Sequence, residues 1–423
     1  MTHIHLIRKI LKCTLYLFLL SLIIFKSSIC ARDLFVVKGI VNPGQANEVS
    51  VVTSMSNAED AIRQLESDKF NRLVANYTDT TPALAVIDFR GLLLQASFPT
   101  SGPELILDIP SLNIHKQFNG ATRDESVDEL VKFFQFEGGR LLNKIQKKLA
   151  EVSPVDPIAG NPNSLQSSLI NEAFSENAFD NSADVIGTTQ EVDKDNVFKI
   201  GMAGGRFYSD NIDGNIINIP LAYTIRFDKN PKWQLKFHMP LQLILIEDAE
   251  IYSAGLGMSL RMPISDNWAI TPTISWGATG SIDAASAAQM WSYSLTSQYR
   301  ISFSKVTITI GNMIGRTETL GFKFGDYDID PDIKNTIYKN GIQAEFKTPI
   351  KIFGSPCSLK ASFANTFFTG DELYLNSYND LAISFGKQKT EGSNSLTNYL
   401  RIGITYTFGS DFSAIKANLG YSF

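Results

Sequence analysis

Apolar and polar side chains alternate along most of the chain after residue 195. From Trp233 to Leu245, for example, every odd-numbered residue is apolar, while Gln234, Lys236 and His238 lie between them. Successive side chains of a β-strand point to opposite faces, so such a run has one apolar and one polar face. Twelve runs of this kind follow one another, at about residues 196–208, 215–227, 233–245, 252–262, 268–277, 290–303, 306–316, 336–352, 357–368, 374–386, 398–409 and 412–423.

The length and number of these runs predict a barrel that crosses a membrane. Each run is about as long as the 9–11 residues that a tilted strand needs to span the hydrocarbon layer. An even number of antiparallel strands closes without an exposed edge, which lipid requires because it cannot hydrogen-bond free backbone groups. A soluble β-sandwich, the alternative, would carry many Lys and Glu on its polar face, whereas here that face is mostly Gly, Ser, Thr and Asn. We predict a transmembrane antiparallel β-barrel of about twelve strands over residues 196–423.

The first residues have the pattern of an export signal. Arg8, Lys9 and Lys12 precede an uncharged apolar run over residues 13–25, and small residues near Cys30 and Ala31 offer a cleavage site. The apolar run is too short to span a bilayer comfortably, so a membrane anchor is the weaker alternative. We predict a signal peptide over residues 1–31.

The spacing of apolar residues over 32–153 predicts a small α/β (α+β) domain, which we place in the periplasm. Helical spacing of apolar residues predicts a helix over 57–77 and another over 123–152, broken at Gly138 and Gly139. Between them, 83–98 and 104–114 are predicted as extended runs joined by a hairpin loop.

The composition of residues 154–195 predicts an acidic linker or plug. Several prolines open the segment, and its carboxylates include Glu172, Glu176, Asp180 and Asp184. The predicted inner face of the barrel carries the opposite charge, with Glu345 as the one clear acid in register. Because charges in a partly dehydrated lumen need partners, we hypothesise that the acidic segment enters the barrel. The alternative is a solvated periplasmic linker beside a water-lined lumen. The basic residues are Arg226, Lys236, Arg261, Arg300, Lys339, Lys347, Lys360, Arg401 and Lys416.

The sequence offers little evidence of catalysis, of a metal site or of a cofactor. The acidic loop over residues 325–332 lacks the glycine and the bidentate glutamate of a calcium-binding loop. His238 could lie across from Ser259, but it faces the lumen and no carboxylate in register completes a catalytic set. We therefore predict that the protein is not an enzyme and holds no cofactor or metal. The formal net charge of −5 also argues against a nucleic-acid partner.

The exported N-terminus, the twelve amphipathic strands and the terminal aromatic residues resemble the outer-membrane β-barrel proteins of Gram-negative bacteria. Tyr421 and Phe423 match the aromatic positions of the C-terminal insertion signal in that group, although Asn418 stands where the signal has glycine. The resemblance implies outer-membrane localisation, contact with outer-membrane lipid and insertion by the barrel assembly machinery. It covers residues 196–423 and extends to no named family in the first domain.

Two classes of function remain open from the sequence. The first is a porin-like channel or transporter for small solutes with a basic lumen. The second is an autotransporter-like translocator that displays residues 32–153 at the cell surface. A structural envelope protein, whose first domain binds a periplasmic partner, is a further alternative.

Overall fold

The computed structural model describes residues 34–55, 57, 61, 67–74, 77–133, 139–179, 196–210, 212–324, 327–352, 355–387 and 400–422. The predicted signal peptide, Asp180, Asp184 and Phe423 lie outside these residues. Within the described part of the chain, no helix is long and apolar enough to cross a membrane.

The N-terminal domain is built on a six-stranded antiparallel sheet with the order β2-β1-β3-β4-β5-β6. Alternate residues of its central strands, such as Val37 and Leu107, are buried beneath α2 and α3, whose Leu130 and Leu149 belong to the same core. The strands are β1 (Phe35–Val41), β2 (Val49–Met55), β3 (Ala83–Phe89), β4 (Leu92–Phe98), β5 (Leu105–Ile109) and β6 (Ile114–Phe118), and the helices are α1 (Ser67–Leu73), α2 (Arg123–Lys132) and α3 (Gly139–Val152).

This domain is mostly sheet, which corrects the α/β description predicted from the sequence. The prediction missed β1 and β2, and it joined β3 and β4 into one run over 83–98. Those two strands form a hairpin whose turn residues, Arg90 and Gly91, have φ angles of 55° and 99°. Positive φ at both turn positions matches the twist of paired strands, so a two-residue turn suffices here. Within the predicted helix over 123–152 the structure describes two helical stretches, α2 and α3, and Gly138 of the predicted break lies outside the described residues.

The second domain is a closed barrel of twelve antiparallel strands, which confirms the predicted barrel. Its exterior is apolar: Leu256, Ile383 and Ile402 are each more than half exposed. Polar residues such as Lys236 and Thr296 point inward and are buried. The barrel strands are β7 (Val197–Ser209), β8 (Ile212–Phe227), β9 (Asn230–Ile246), β10 (Ala249–Pro263), β11 (Trp268–Ser281), β12 (Ser286–Ser302), β13 (Val306–Leu320), β16 (Lys334–Ile352), β17 (Ser355–Gly370), β18 (Ser377–Lys387), β19 (Arg401–Gly409) and β20 (Phe412–Ser422), with a separate short hairpin of β14 (Phe322–Phe324) and β15 (Tyr327–Ile329).

The two ends of the barrel differ in what they hold. We call the end where β7 begins and β20 ends the chain-end mouth, and the opposite end the domain-side mouth. The N-terminal domain sits on the domain-side mouth, where one buried apolar cluster joins Leu34 and Leu149 of the domain to Phe207, Ile246 and Phe412 of the barrel. The sheet domain therefore covers one opening of the barrel.

Residues 153–179, which we call the plug segment, connect the domain to the barrel interior. The first part, up to Ser164, is buried throughout and is not a solvated linker. Helix α4 (Leu165–Phe174) then begins where the Ser164 side chain accepts a hydrogen bond from the Ser167 backbone N–H. A π-helical turn, Ser175–Phe179, continues it. The segment thus leaves the domain and enters the barrel directly.

Candidate functional site: the occupied barrel lumen

Helix α4 lies inside the barrel and packs on a group of apolar residues of the inner wall. It contacts strands β9 to β13. Leu165, Leu169 and Phe174 of the helix share a buried cluster with the inward-facing Met290 and Ile337. Full burial of such side chains stabilises by about 1.5–3 kcal/mol each, so this contact alone gives the segment a strong preference for the lumen.

Glycines in the wall make room for the plug segment. A Cβ atom at Gly255 would lie 2.6 Å from Leu169 Cδ2, and one at Gly311 would lie 2.5 Å from Ala178 Cβ. Contacts that short are not tolerated, so any larger residue at these positions would displace the plug segment or the wall. The wall is therefore shaped to this occupant.

Polar contacts fix the plug segment near the domain-side mouth. The side-chain amide of Gln166 donates from Nε2 to Thr317 Oγ1 at 2.9 Å and to Asn335 Oδ1 at 2.9 Å. All three side chains are buried. Both N–H donors of this buried amide are thus paired, which specifies one position of the plug segment along the barrel axis.

The middle of the helix contacts a charged group in the wall. Asn171 Oδ1 accepts hydrogen bonds from Lys339 Nζ at 2.7 Å and from the Tyr378 hydroxyl at 3.0 Å. The same Lys339 Nζ lies 3.1 Å from Asp380 Oδ2 and 5.4 Å from the centre of the Phe174 ring. Lys339 is thereby compensated by a wall carboxylate and also held to the plug segment.

The plug segment reaches the half of the barrel near the chain-end mouth. Asn177 Nδ2 donates to Ser259 Oγ at 3.1 Å and to Thr273 Oγ1 at 3.0 Å. Glu176 pairs through Oε2 with Lys199 Nζ at 2.8 Å, and the Glu176 backbone carbonyl accepts from Lys236 Nζ. These contacts lie close to the start of β7, so the segment runs through the lumen from one mouth towards the other.

The acidic residues named from the sequence have different positions. Glu172 is half-buried on α4, Glu176 pairs with Lys199, and Asp180 and Asp184 lie outside the described residues. Most of the contacts with the wall come instead from the amides of Gln166, Asn171 and Asn177 and from apolar side chains, which sequence reasoning did not single out. Amides carry no charge signal, so only their placement opposite the wall reveals them.

The predicted basic residues lie on the inner face of the barrel strands, with diverse partners. Arg261 Nη2 donates to Gln298 Oε1 at 2.9 Å, and Arg401 Nη1 donates to Ser358 Oγ at 2.9 Å. Lys360 lies 3.8 Å from Glu345. The acid missed by sequence reasoning is Asp380, beside Lys339 and Thr407. The others are Arg226, Lys236 and Lys339, which are buried, Arg300 and Lys416, which are half-buried, and Lys347, which is exposed.

His238 faces the lumen in a row of small residues. Its Nε2 atom lies 3.2 Å from Ser275 Oγ, and the ring crosses Gly257, its partner on β10. Ser259, which we considered as its neighbour, is paired in register with Lys236 instead. In the described part of the chain, no group of three or more His, Cys, Asp or Glu residues could hold a metal ion.

The junction between domain and plug segment contains a buried ion pair. Arg90 Nη1, in the β3–β4 turn, lies 3.5 Å from Asp156 Oδ2, and both side chains are fully buried. Burial raises the pKa of the Asp156 carboxyl, an effect that the charge of Arg90 opposes, and burial lowers the pKa of Arg90.

The barrel loops also hold the end of α3. Backbone N–H groups of Tyr374 and Leu375 donate to the carbonyls of Ala150 and Gly160, both at 2.9 Å. Lys147, on the same helix, lies 2.8 Å from Asp371. The loop between β17 and β18 therefore binds both the last turn of α3 and the start of the plug segment.

Comparison with known proteins gives structural likeness only. No family model and no curated protein sequence matches the chain. Similar solved structures include the β-domain of the Bordetella autotransporter Brka, with 11% identity, a TM-score of 0.38, and coverage of 54% of this chain and 99% of that chain. The translocator domain of the autotransporter NalP from Neisseria meningitidis is 10% identical, with a TM-score of 0.40 and coverage of 61% of this chain and 96% of that chain. The KdgM porin is 8% identical, with a TM-score of 0.33 and coverage of 53% of this chain and 99% of that chain.

These likenesses are too weak to indicate a function. The topology of the chain itself is decisive for the fold, since twelve antiparallel strands close completely and present apolar side chains outward. The chain has the fold of an outer-membrane β-barrel, with a separate sheet domain at one mouth.

Proposed function

We propose that this protein is an autotransporter-like display protein, in which an outer-membrane barrel holds residues 34–152 at the cell surface. One observation carries the proposal: the domain covers one mouth while the segment that follows it descends through the lumen towards the other mouth. This is the path of a chain whose N-terminal part has crossed the membrane through, or together with, its own barrel.

The occupied lumen favours display over an open pore. A porin-like channel, the other function expected from the sequence, needs a water-filled path between the two mouths. Here α4 packs on the wall through apolar side chains, and Gln166, Asn171 and Asn177 are each hydrogen-bonded to it. A channel would require all of these contacts to break at each opening.

We take the chain-end mouth as periplasmic, because a barrel is inserted from the periplasmic side and the first strand, β7, begins at the same mouth at which the last strand, β20, ends. The domain then lies outside the cell, in place of the periplasmic position expected from the sequence. Export through the predicted signal peptide and insertion through Tyr421 and Phe423 belong to this proposal. No catalytic step is part of it.

Cysteine labelling on intact cells tests the orientation. Cys357 is buried, so the parent chain gives a low background with a membrane-impermeant maleimide. Lys38→Cys places a thiol on an exposed position of the domain, and Asp266→Cys places one in the exposed β10–β11 turn at the chain-end mouth. Labelling of Lys38→Cys on intact cells, with Asp266→Cys labelled only after the outer membrane is permeabilised, is the expected result.

The reverse labelling pattern would place the domain in the periplasm and overturn the display proposal. In that case the porin-like function, with the plug segment as a gate, becomes the better explanation. Conductance of the purified protein in planar bilayers, with and without residues 165–179, then measures whether the segment closes a pore.

A further inference from the structure

The two edges of the N-terminal sheet differ in how they are protected. Edge strands present unpaired N–H and C=O groups, and natural sheets guard them with charged residues or proline. The β6 edge follows this rule, because His115 and Lys116 are exposed there. The β2 edge, Val49–Met55, has neither a charged residue nor a proline. Among the described residues, no further strand pairs with the outer side of β2. The β2 edge is thus open to another strand.

The hydrogen bonds of the central strands show which backbone groups of β2 face this open side. Directly after the last residue of β1, the Asn42 N–H donates to the Pro82 carbonyl beside β3. At the other end of the same pairing, the Arg90 N–H donates to the Leu34 carbonyl. Hydrogen-bonded positions alternate along an antiparallel pair, so even-numbered residues of β1 bond to β3 and odd-numbered ones bond to β2. The register of β1 with β2 pairs odd with odd. The residues of β2 whose N–H and C=O groups point outward are therefore Ser50, Val52 and Ser54.

The sequence of β2 has nearly the same pattern in both directions. It reads Val-Ser-Val-Val-Thr-Ser-Met, with Val52 at the centre. A second β2 strand, antiparallel to the first and related to it by a two-fold axis beside Val52, would place residues of like character opposite each other. The pairs are Val52 with Val52, Ser50 with Ser54, Val51 with Thr53, and Val49 with Met55. Such cross-strand pairs stabilise a sheet, and none of them sets like charges against each other.

The outward backbone groups match this register. With the axis beside Val52, this residue and its copy form a hydrogen-bonded pair, and Ser50 and Ser54 form the next pair on either side. Three N–H donors and three C=O acceptors from each copy then make six hydrogen bonds, with none left over. The Val52 side chain, which is 61% exposed in one chain, packs beside the Val52 side chain of the second copy.

We propose that the β2 edge binds the β2 edge of a second copy of this chain, which joins the two six-stranded sheets into one continuous sheet. Main-chain hydrogen bonds supply the affinity, as in other cases of strand addition, and the near-palindromic sequence supplies the register. A two-fold contact is self-complementary, so it closes at two copies and leaves no open β2 edge. The pairing requires neither the display function nor a particular side of the membrane.

Disulfide formation in the purified full chain, in detergent, tests the register. In Val52→Cys the two thiols lie on a hydrogen-bonded pair with about 5.5 Å between Cα atoms, within the roughly 4.4–6.8 Å that a disulfide spans. Mild oxidation should convert most of this variant into a dimer on a non-reducing gel. Ser50→Cys is the matched control, because its two thiols lie about 14 Å apart along the strands and should crosslink no more than the parent chain. A mixture of Ser50→Cys and Ser54→Cys, each with its own tag, should again give a crosslinked pair.

A second pair of variants separates the edge of the sheet from its face. Val52 and Leu93 are 61% and 51% exposed on the sheet face that points away from α2 and α3, but only Val52 lies on the edge. Val52→Lys sets two like charges opposite each other and should weaken the dimer about tenfold or more in sedimentation measurements. Leu93→Lys should leave the dimer unchanged.

Three results would overturn the proposal. The first is a parent chain that stays monomeric over the whole concentration range in detergent. The second is equal crosslinking of Val52→Cys and Ser50→Cys, which would indicate collision without a fixed register. The third is dissociation by Leu93→Lys as strong as that by Val52→Lys, which would place the contact on the face of the sheet.

Discussion

Arg90 of the sheet domain and Asp156 of the plug segment form a fully buried ion pair, with 3.5 Å between Nη1 and Oδ2. Asp156 Oδ1 also accepts from the backbone N–H groups of Ile158 and Ala159, at 2.9 and 3.2 Å. Among the described residues, the guanidinium nitrogens of Arg90 have no hydrogen-bond partner of standard geometry. The pair thus ties the β3–β4 turn to the plug segment mainly by charge, at the point where the chain passes from domain to lumen.

Removing one member of this pair should loosen the docking of the domain on the barrel. Asp156→Ala leaves a buried guanidinium without compensation, and such changes cost about 3–5 kcal/mol. The double variant Arg90→Met/Asp156→Ala should recover most of that loss, because no buried charge remains. Limited proteolysis of the detergent-solubilised full chain, with the cleavage rate converted into the free energy of undocking, measures both. Equal losses in the single and double variants would contradict a charge-based role.

The same pair predicts a pH dependence in the Arg90→Met variant. Without the positive charge, only the backbone hydrogen bonds from Ile158 and Ala159 still oppose the effect of burial, so the pKa of Asp156 in the docked state is further above the ordinary 3.8. The docked state then binds the proton more tightly, so docking is strongest at low pH and weakens as pH rises from about 3.8 through the raised pKa. Proteolysis rates between pH 4.5 and 8, with a protease active over that range, should rise in the variant more than in the parent chain. An equal rise of the proteolysis rate in the variant and in the parent chain would contradict this prediction.

A single wall substitution should disturb the plug segment. In Gly311→Val, the new Cβ would fall 2.5 Å from Ala178 Cβ and close to the Phe174 ring, so the end of the segment must move. We expect the variant to show more frequent or larger conductance events in planar bilayers than the parent chain. Gly280→Val is the matched control, because a Cβ there meets nothing closer than 4.0 Å. Identical conductance of all three proteins would argue that the segment does not limit the pore.

The sequence was sufficient for the barrel because lipid outside and a lumen inside impose strict alternation over long strands. All twelve runs correspond to barrel strands, with ends shifted by a few residues; the third run, 233–245, lies within β9 (Asn230–Ile246). Alternation repeats several times in such a strand, so register is strongly specified.

The N-terminal sheet could not be recognised in this way. Its strands have five to seven residues, and one of them, β1, places Val36 and Val37 side by side before Lys38. A short strand contains too few periods to separate it from a buried helix turn. The Arg90–Gly91 turn was the available signal, since glycine at the second turn position within an alternating run indicates a hairpin.

For the plug segment, charge indicated the lumen but not the contacts. Opposite charges on the segment and the inner face led to the hypothesis that the segment enters the barrel. The contacts that position it, such as Gln166 with Asn335, join residues 169 positions apart. Pairings across that separation depend on barrel geometry, which no local pattern in the sequence encodes.

A proline interrupts the pairing of β9 with β10 in the barrel wall, and this leads to a last prediction, on stability. Pro240 lies in mid-strand, where β9 and β10 pass over two positions without pairing. Pro240→Val restores an N–H that can donate towards β10, and a hydrogen bond made inside a membrane wall should stabilise by about 1 kcal/mol. The temperature at which the purified barrel loses its compact, fast-migrating form on a detergent gel should therefore rise.

Pro263→Val is the matched control for that change. Pro263 is the last residue of β10 and is already paired with Ala269. Proline is tolerated at the end of a strand, where water can satisfy the neighbouring carbonyl, so its replacement should leave the unfolding temperature unchanged. If Pro240→Val lowers that temperature instead, the proline ring contributes more through its packing near Gly255 than the missing hydrogen bond costs, and the wall at this point is specified by shape.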